Sequence, residues 1–165
     1  MSLSRRARHL FTSSGSVRRA FPDATLARIE QAIARTEALH RGQICFALEA
    51  ALDGASLWSG QLASERAVEL FGQLRVWDTE HNNGVLIYLL WADRDVEIVA
   101  DRGIHSRVGG PGWEDVCRQM EAAFRDGRFE AGALAGIEAV GALLATHYPG
   151  DGTVRNELPD RPVLL

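Results

Sequence analysis

A chain of 165 residues is long enough for one domain with a sizeable buried core. Apolar residues make up 46% and charged residues 24%, values of an ordinary globular protein. At a net charge of −4 nothing overall suggests a nucleic-acid binder, and no nucleic-acid partner is expected.

Residues 1–21, "MSLSRRARHLFTSSGSVRRAF", form a basic N-terminal arm with five arginines and no acid. The arm lacks the apolar core of a signal peptide. Arg5 and Arg6 match a twin-arginine pair, but no apolar region follows. The longest apolar run, residues 85–92, is too short to cross a bilayer. The expectation is a cytoplasmic protein. The arm could touch an acidic partner or lipid headgroups, be solvated, or pack on its own acidic domain.

Residues 22–41 read as a helix. Pro22 and Asp23 suit its start, Leu26, Ile29 and Ile33 mark its buried face, and Gly42 suits its stop. "QICFALE", 43–49, reads as a first strand, and "DGASLWSG" as a loop with an Asp53-Gly54 turn. Residues 61–74 form a second helix, with Ala67, Leu70, Phe71 and Leu74 facing inward. "VLIYLLW", 85–91, is apolar on both faces, as a central strand should be. "VEIVA", 96–100, returns beside it as a hairpin after the turn "ADRD". "GGPGW" reads as a Gly-rich loop, and helices follow at about 113–126 and 130–146. The Pro-punctuated tail is placed on the surface or at a sheet edge. Cys45 and Cys117 lack ligand spacing and read as buried free thiols. The four tryptophans read as core or rim.

The order α-β-α-β-β-α-α implies a right-handed parallel crossover between the first two strands. The hairpin makes the third strand antiparallel. The expected fold is a three-layer α/β/α sandwich, with a mixed, mostly parallel sheet and a Rossmann-like look.

This topology gathers carboxylates at both ends of the sheet. One end receives Glu37, His40, Asp78, Glu80 and Asp101; the other receives Glu49, Asp93 and Asp95. Carboxylate oxygens are hard ligands suited to Ca²⁺ or Mg²⁺, so Glu37, Asp78, Glu80 and Asp101 are the candidate metal ligands. Asp-Thr-Glu and Asn-Asn-Gly are equally ordinary turn and capping residues. Asp93 and Asp95 read as turn chemistry. The stretch is not an EF-hand, because Asn83 stands where glycine is needed and Leu89 where the bidentate Glu belongs. No GxSxG, HExxH or Cys-His signature is present.

Three segments together resemble the TPM domain family. "NNGVLIYLLWADRDVEIVADRGI" has its asparagine-glycine turn, apolar strand, "DR" hairpin and second strand. "ARTEALHRGQICFALEA" is similar to its first helix-strand unit. Phe124, Gly127, Phe129 and Gly132 fit the aromatic and glycine pattern before its last helix. On this reading residues 22–147 form the TPM-like domain and 148–165 a C-terminal tail.

The resemblance implies the α/β/α sandwich, divalent-cation binding with Ca²⁺ foremost, and work in envelope or membrane-protein maintenance. A thylakoid-lumen member is described as an acid phosphatase, and many bacterial members are exported with a C-terminal membrane helix. The family's usual "GYG" is "DRG" here, with Asp101 and Arg102 in place of Gly and Tyr.

Two functions follow as expectations. One is a cation-binding interaction module with an unidentified protein partner and membrane-surface contact through the basic arm. The other is a metal-dependent phosphomonoesterase with Asp78, Asp101, Arg102 and His105 as its catalytic set. The acids would hold the metal, Arg102 the phosphate, and His105 would move a proton.

Overall fold

Two apolar runs become the middle of a four-stranded sheet. β1 (Gln43–Glu49) and β2 (Gly84–Leu90) are buried at every position, whereas β3 (Asp95–Ala100) is mostly half-buried. The strand order is β3-β2-β1-β4, with β4 (Val163–Leu164) at one edge. β1 and β2 run parallel, with Gln43 opposite Gly84 and Glu49 opposite Leu90. β2 and β3 form the expected antiparallel hairpin, with Val85 opposite Ala100. β4 adds to β1 in parallel, so the tail does lie on a sheet edge. The computed structural model describes residues 3–153 and 156–165.

Alternation along the strands divides the core into two layers. Ile44, Phe46, Leu48, Val85, Ile87 and Leu89 face one side. They meet α3 (Asp23–Glu37), α7 (Gly110–Arg125) and α8 (Phe129–His147) through Ile29, Ile33, Met120, Phe124, Ile137 and Leu144. Cys45, Ala47, Leu86, Tyr88 and Leu90 face the other side. There they meet α4 (Gly54–Ser59) and α5 (Ala63–Gln73) through Leu57, Ala67 and Leu70. The result is the mixed α/β sandwich that the element order implies.

α8 is long and apolar enough, by composition, to cross a membrane. Its buried positions include Gly132 and Gly136, which face α7, and Gly141, which faces α3 from the other side of the helix. A Cβ at Gly136 would strike Met120 of α7, and one at Gly141 would strike Thr36 of α3. These small residues let three helices approach closely, so α8 is a core helix here.

Four local readings change. α3 ends at Glu37 rather than near residue 41, and His40 forms an isolated bridge with Pro149 instead. The "DGASLWSG" stretch is not a loop but carries α4, because Asp53 Oδ1 accepts from the Ser56 amide at 2.8 Å and caps it. A further helix, α6 (Arg102–Val108), follows Asp101 directly. "GGPGW" is the first turn of α7 rather than a loop. Gly109, at φ 76°, lies between the two helices, and Pro111 occupies an early position that needs no amide donor.

The basic N-terminal segment folds onto the domain as α1 (Leu3–Phe11) and α2 (Ser14–Ala20). Val17 and Phe21 enter the core, and the Phe21 ring packs edge-on against Trp91 and Phe124. Trp113 is buried, while Trp58 and Trp77 are largely exposed.

Candidate functional site

The loop between α5 and β2 decides what the carboxylate-rich end of the sheet can do. Asn83 is fully buried; its amide donates to Thr79 Oγ1 and its side chain to the Arg41 carbonyl at 2.9 Å. Asn82 takes a left-handed φ of 51°, and its carbonyl accepts from the Ile104 amide. The Asn-Asn-Gly sequence is therefore structural: it locks the β2 entry to both the α3–β1 turn and α6.

The six predicted site residues separate around this lock. Asp101 and Arg102 line an open groove of about 840 Å³ with Phe71, Trp77 and Asn82. Glu80 lines a neighbouring cavity of about 380 Å³ with His40, Arg41, Asp151 and Glu157. His81 borders both. Asp78 is exposed and pairs with Arg75 at 3.4 Å. His105 lines a third groove, beside Cys117 and Glu121. Glu37 is buried beneath the sheet end, where its Oε1 accepts from the Ile44 amide at 2.7 Å. Topology brings these chain segments to one end, but side-chain direction parts them. Among the described residues, no three His, Cys, Asp or Glu side chains are placed to hold one metal ion. The set Glu37, Asp78, Glu80 and Asp101 does not fit a cation.

Two of these residues have clear structural duties. Asp101 Oδ1 accepts from the Arg102 amide at 2.7 Å and caps α6, while Oδ2 is buried without a hydrogen-bond partner. Glu37 has its pKa raised to about 8, first by burial and then by the charge and hydrogen bond of Asp160; the Ile44 amide opposes this. Glu37 thus keeps a proton at neutral pH and ties α3 to the C-terminal tail.

A native pKa of about 8 against an ordinary 4.5 means the folded state holds a proton that the unfolded chain releases. The associated stability is fully present below pH 4.5 and is lost as pH rises through 8. Glu37→Gln should therefore be flat across that window relative to wild type and more stable than it at pH 9, by a few kcal/mol on the order-of-magnitude scale of such shifts. Thermal unfolding of both proteins in a pH series checks this; parallel curves would exclude a protonated Glu37.

His40 is neutral for a related reason. Burial pushes its pKa down to about 4, against the opposing Gly42 contact. Its Nδ1 accepts from the Gly42 amide, so Nε2 carries the hydrogen.

The opposite end of the sheet holds two networks, one around Glu49 and one around Asp93, whose sequence context suggests only a turn residue. Glu49 receives Arg66 in a two-pronged contact at 2.9 and 3.0 Å, and the buried Tyr88 hydroxyl donates to it at 2.6 Å. Burial, and then the Glu49 hydrogen bond, push the Tyr88 pKa upward. Asp93 accepts from Arg5 at 2.7 Å, Arg8 at 2.9 Å and His9 at 3.1 Å. Burial pulls its pKa up, but these three partners outweigh burial and hold it low. Both acids are neutralised internally.

A group of acids with no ion pair among the described residues lies at the outer edge of β3. Asp95 and Glu97 share the third groove with Glu121 of α7. Burial raises both pKa values, and the charge of Glu121 adds to each; Glu97 reaches about 7. Burial also pushes the Cys117 thiol up to about 12, with Glu97 and Glu121 contributing, and the Cys45 thiol to about 11. Alternate acids in "DVEIV" and the four-residue spacing from Cys117 to Glu121 were the available signals. They become meaningful only when α7 is known to cover this edge, where Glu121 accepts from the outward Val96 amide.

A family model for the TPM domain matches residues 18–143. Among solved structures, the chain is similar to the BA42 protein from the psychrophilic bacterium Bizionia argentinensis. The identity is 28% and the TM-score 0.75, over 86% of this chain and 93% of that one. It also resembles the N-terminal domain of a protein from P. gingivalis, at 18% identity and TM-score 0.61, over 75% of this chain and 76% of that one. The second likeness is one of fold. A search of curated proteins gives no match. With the mixed sheet and the Asn-Asn-Gly lock in place, the match across most of its length makes this chain a member of the TPM domain family.

Proposed function

We propose that this TPM-domain protein is a binding and assembly module in envelope or membrane-protein maintenance, not a hydrolase. The observation that carries this reading is the dispersal of the residues a phosphomonoesterase would need together. Asp78 pairs with Arg75 at the surface, Asp101 and Arg102 line one groove, and His105 lines another. Phosphoryl transfer needs its charge-stabilising, nucleophilic and proton-transferring groups around one reacting centre. The thiols offer no substitute: Cys45 is buried, Cys117 is half-buried rather than buried as expected, and desolvation keeps both protonated at neutral pH.

A cation, Ca²⁺ or Mg²⁺, is better suited to a different set of side chains. Asp95, Glu97 and Glu121 are hard ligands; burial first, and then their neighbouring charges, raise the first two pKa values. Positive charge among them would replace repulsion with attraction. Because they do not close on one point, binding would require their side chains to turn inward.

The test uses metal-stripped full-length protein. A generic phosphomonoester should remain unhydrolysed with or without millimolar Ca²⁺ or Mg²⁺. Saturating cation should raise the melting temperature by mass action, about 2 to 4 °C for each kcal/mol of binding. Glu97→Gln should lose that rise and Asp101→Asn should keep it. Metal-dependent turnover abolished by Asp101→Asn would instead restore the hydrolase and its original site.

A further inference from the structure

α1 presents its apolar side to solvent. Leu3, Ala7, Leu10 and Phe11 recur at the spacing of one helical stripe, and Leu3, Leu10 and Phe11 are 84%, 73% and 90% exposed. The inward side is polar. Arg5 and His9 both reach Asp93, and His9 Nδ1 accepts from the Leu52 amide at 3.1 Å. Rolling the helix to bury the stripe would break this buried latch, leaving His9 and Asp93 without partners. The apolar stripe is therefore held outward by contacts that cost too much to exchange.

Its surroundings are basic and aromatic. Arg6 lies over the ring of Trp58 at 4.4 Å, and Trp58 and Leu62 are themselves largely exposed. The Arg8 side chain is 53% exposed, and Arg18 and Arg19 are exposed on α2. Five of the 18 basic residues and none of the 22 acidic ones lie in residues 1–21. The rest of the chain has 13 against 22, a net charge of −9.

From this juxtaposition we infer that α1 is a docking face for an anionic bilayer surface. Leucine and phenylalanine enter the headgroup boundary, Trp58 sits at its rim, and the arginines meet the phosphates. Asp93 neutralises part of the charge of Arg5 and Arg8 beneath the helix, and Arg18 and Arg19 remain exposed on α2. A second copy of the chain suits this face poorly. A two-fold contact would set the same arginines against one another. A stripe of nine helical residues is also far smaller than the surface, on the order of 1,600 Å², that a stable interface buries.

The inference rests on the module reading and supplies its partner, but it requires neither the cation nor the β3 groove. Phosphomonoester turnover would overturn the module; the lipid result bears on α1 alone. The experiment is flotation of full-length protein, in chelator, with phosphatidylcholine vesicles lacking or containing about a third phosphatidylglycerol. Binding to the anionic vesicles should exceed binding to neutral ones by about tenfold or more at low salt and weaken as salt rises. The double variant Leu10→Ser, Phe11→Ser should bind anionic vesicles about a hundredfold more weakly. Its melting temperature should match wild type, because both side chains are exposed. Equal binding to both vesicle types, or unchanged binding by the double variant, overturns the inference. So does concentration-dependent dimerisation that the double variant abolishes, which would give the stripe to a second copy.

Discussion

Gly84→Ala should lower the unfolding free energy by about 3 kcal/mol or more, the upper end for overpacking, seen as a lower urea midpoint with an unchanged slope. Gly84 begins β2 and pairs with Gln43 of β1. A Cβ there would fall well inside van der Waals contact of the Val76 carbonyl oxygen. That obstacle is main chain, not the movable end of a side chain. Val76 is itself fully buried, and its amide donates to the Phe71 carbonyl, so it has little room to retreat. Moving the β2 entry instead would disturb Asn83, whose side chain holds the Arg41 carbonyl, and Asp101, whose amide donates to Gly84. The glycine is required for a close approach of two backbones. An unchanged midpoint would show that the loop before β2 is looser than this packing implies.

Glu49→Ala should have an effect of similar size, about 3 to 5 kcal/mol, because it removes one partner of a buried ion pair. At this chain length that corresponds to a melting temperature lower by roughly 10 °C. Glu49 is 7% exposed and holds both Arg66 and the fully buried Tyr88 hydroxyl. Its loss leaves the Tyr88 phenol without its partner and the Arg66 guanidinium with only the exposed Glu69, at 3.3 Å. Replacing the group with apolar side chains gives the contrasting measurement. A Glu49→Leu, Arg66→Met, Tyr88→Phe triple variant should recover most of the lost stability, since no polar group is then left unmatched. If Glu49→Ala alone were neutral, the network would be solvated and its geometry inconsequential.

The two variants probe different parts of what the sequence made readable. The "NNG" before an apolar run signals the entry to a strand, and that reading holds. The reason for Gly84 is a contact with Val76, a residue outside the motif. "LEA" at the end of β1 carries no sign that Glu49 meets Arg66 and Tyr88 from two other elements. Likewise, Asp93 reads as part of a turn, and Arg94 after it does take a left-handed φ. Its larger duty is to hold α1, which begins far away in sequence.

The candidate site follows the same division. The hairpin correctly predicts that the segments bearing Asp78, Glu80 and Asp101 share one end of the sheet. It does not predict that Asp78 turns outward to Arg75, or that Asp101 caps α6. Nor does it predict that Glu37 turns inward to the Ile44 amide. A one-dimensional pattern specifies which residues alternate along a strand or recur on a helix, because those periods come from local backbone geometry. The limits of β1, the parallel crossover and the hairpin all rest on such periods. Short helices such as α4 and α6 are too brief for a period to emerge, and each depends on one capping aspartate.

Local periodicity and the burial of apolar runs were therefore enough for the α/β sandwich. They were not enough for the direction of α1, whose apolar stripe alone would place it facing inward. Asp93, Arg5 and His9 reverse that orientation through buried polar contacts between residues more than 80 positions apart. Contacts of that range have no trace in local pattern, and only the packed chain determines which carboxylate is an anchor, which a cap, and which remains available to a ligand.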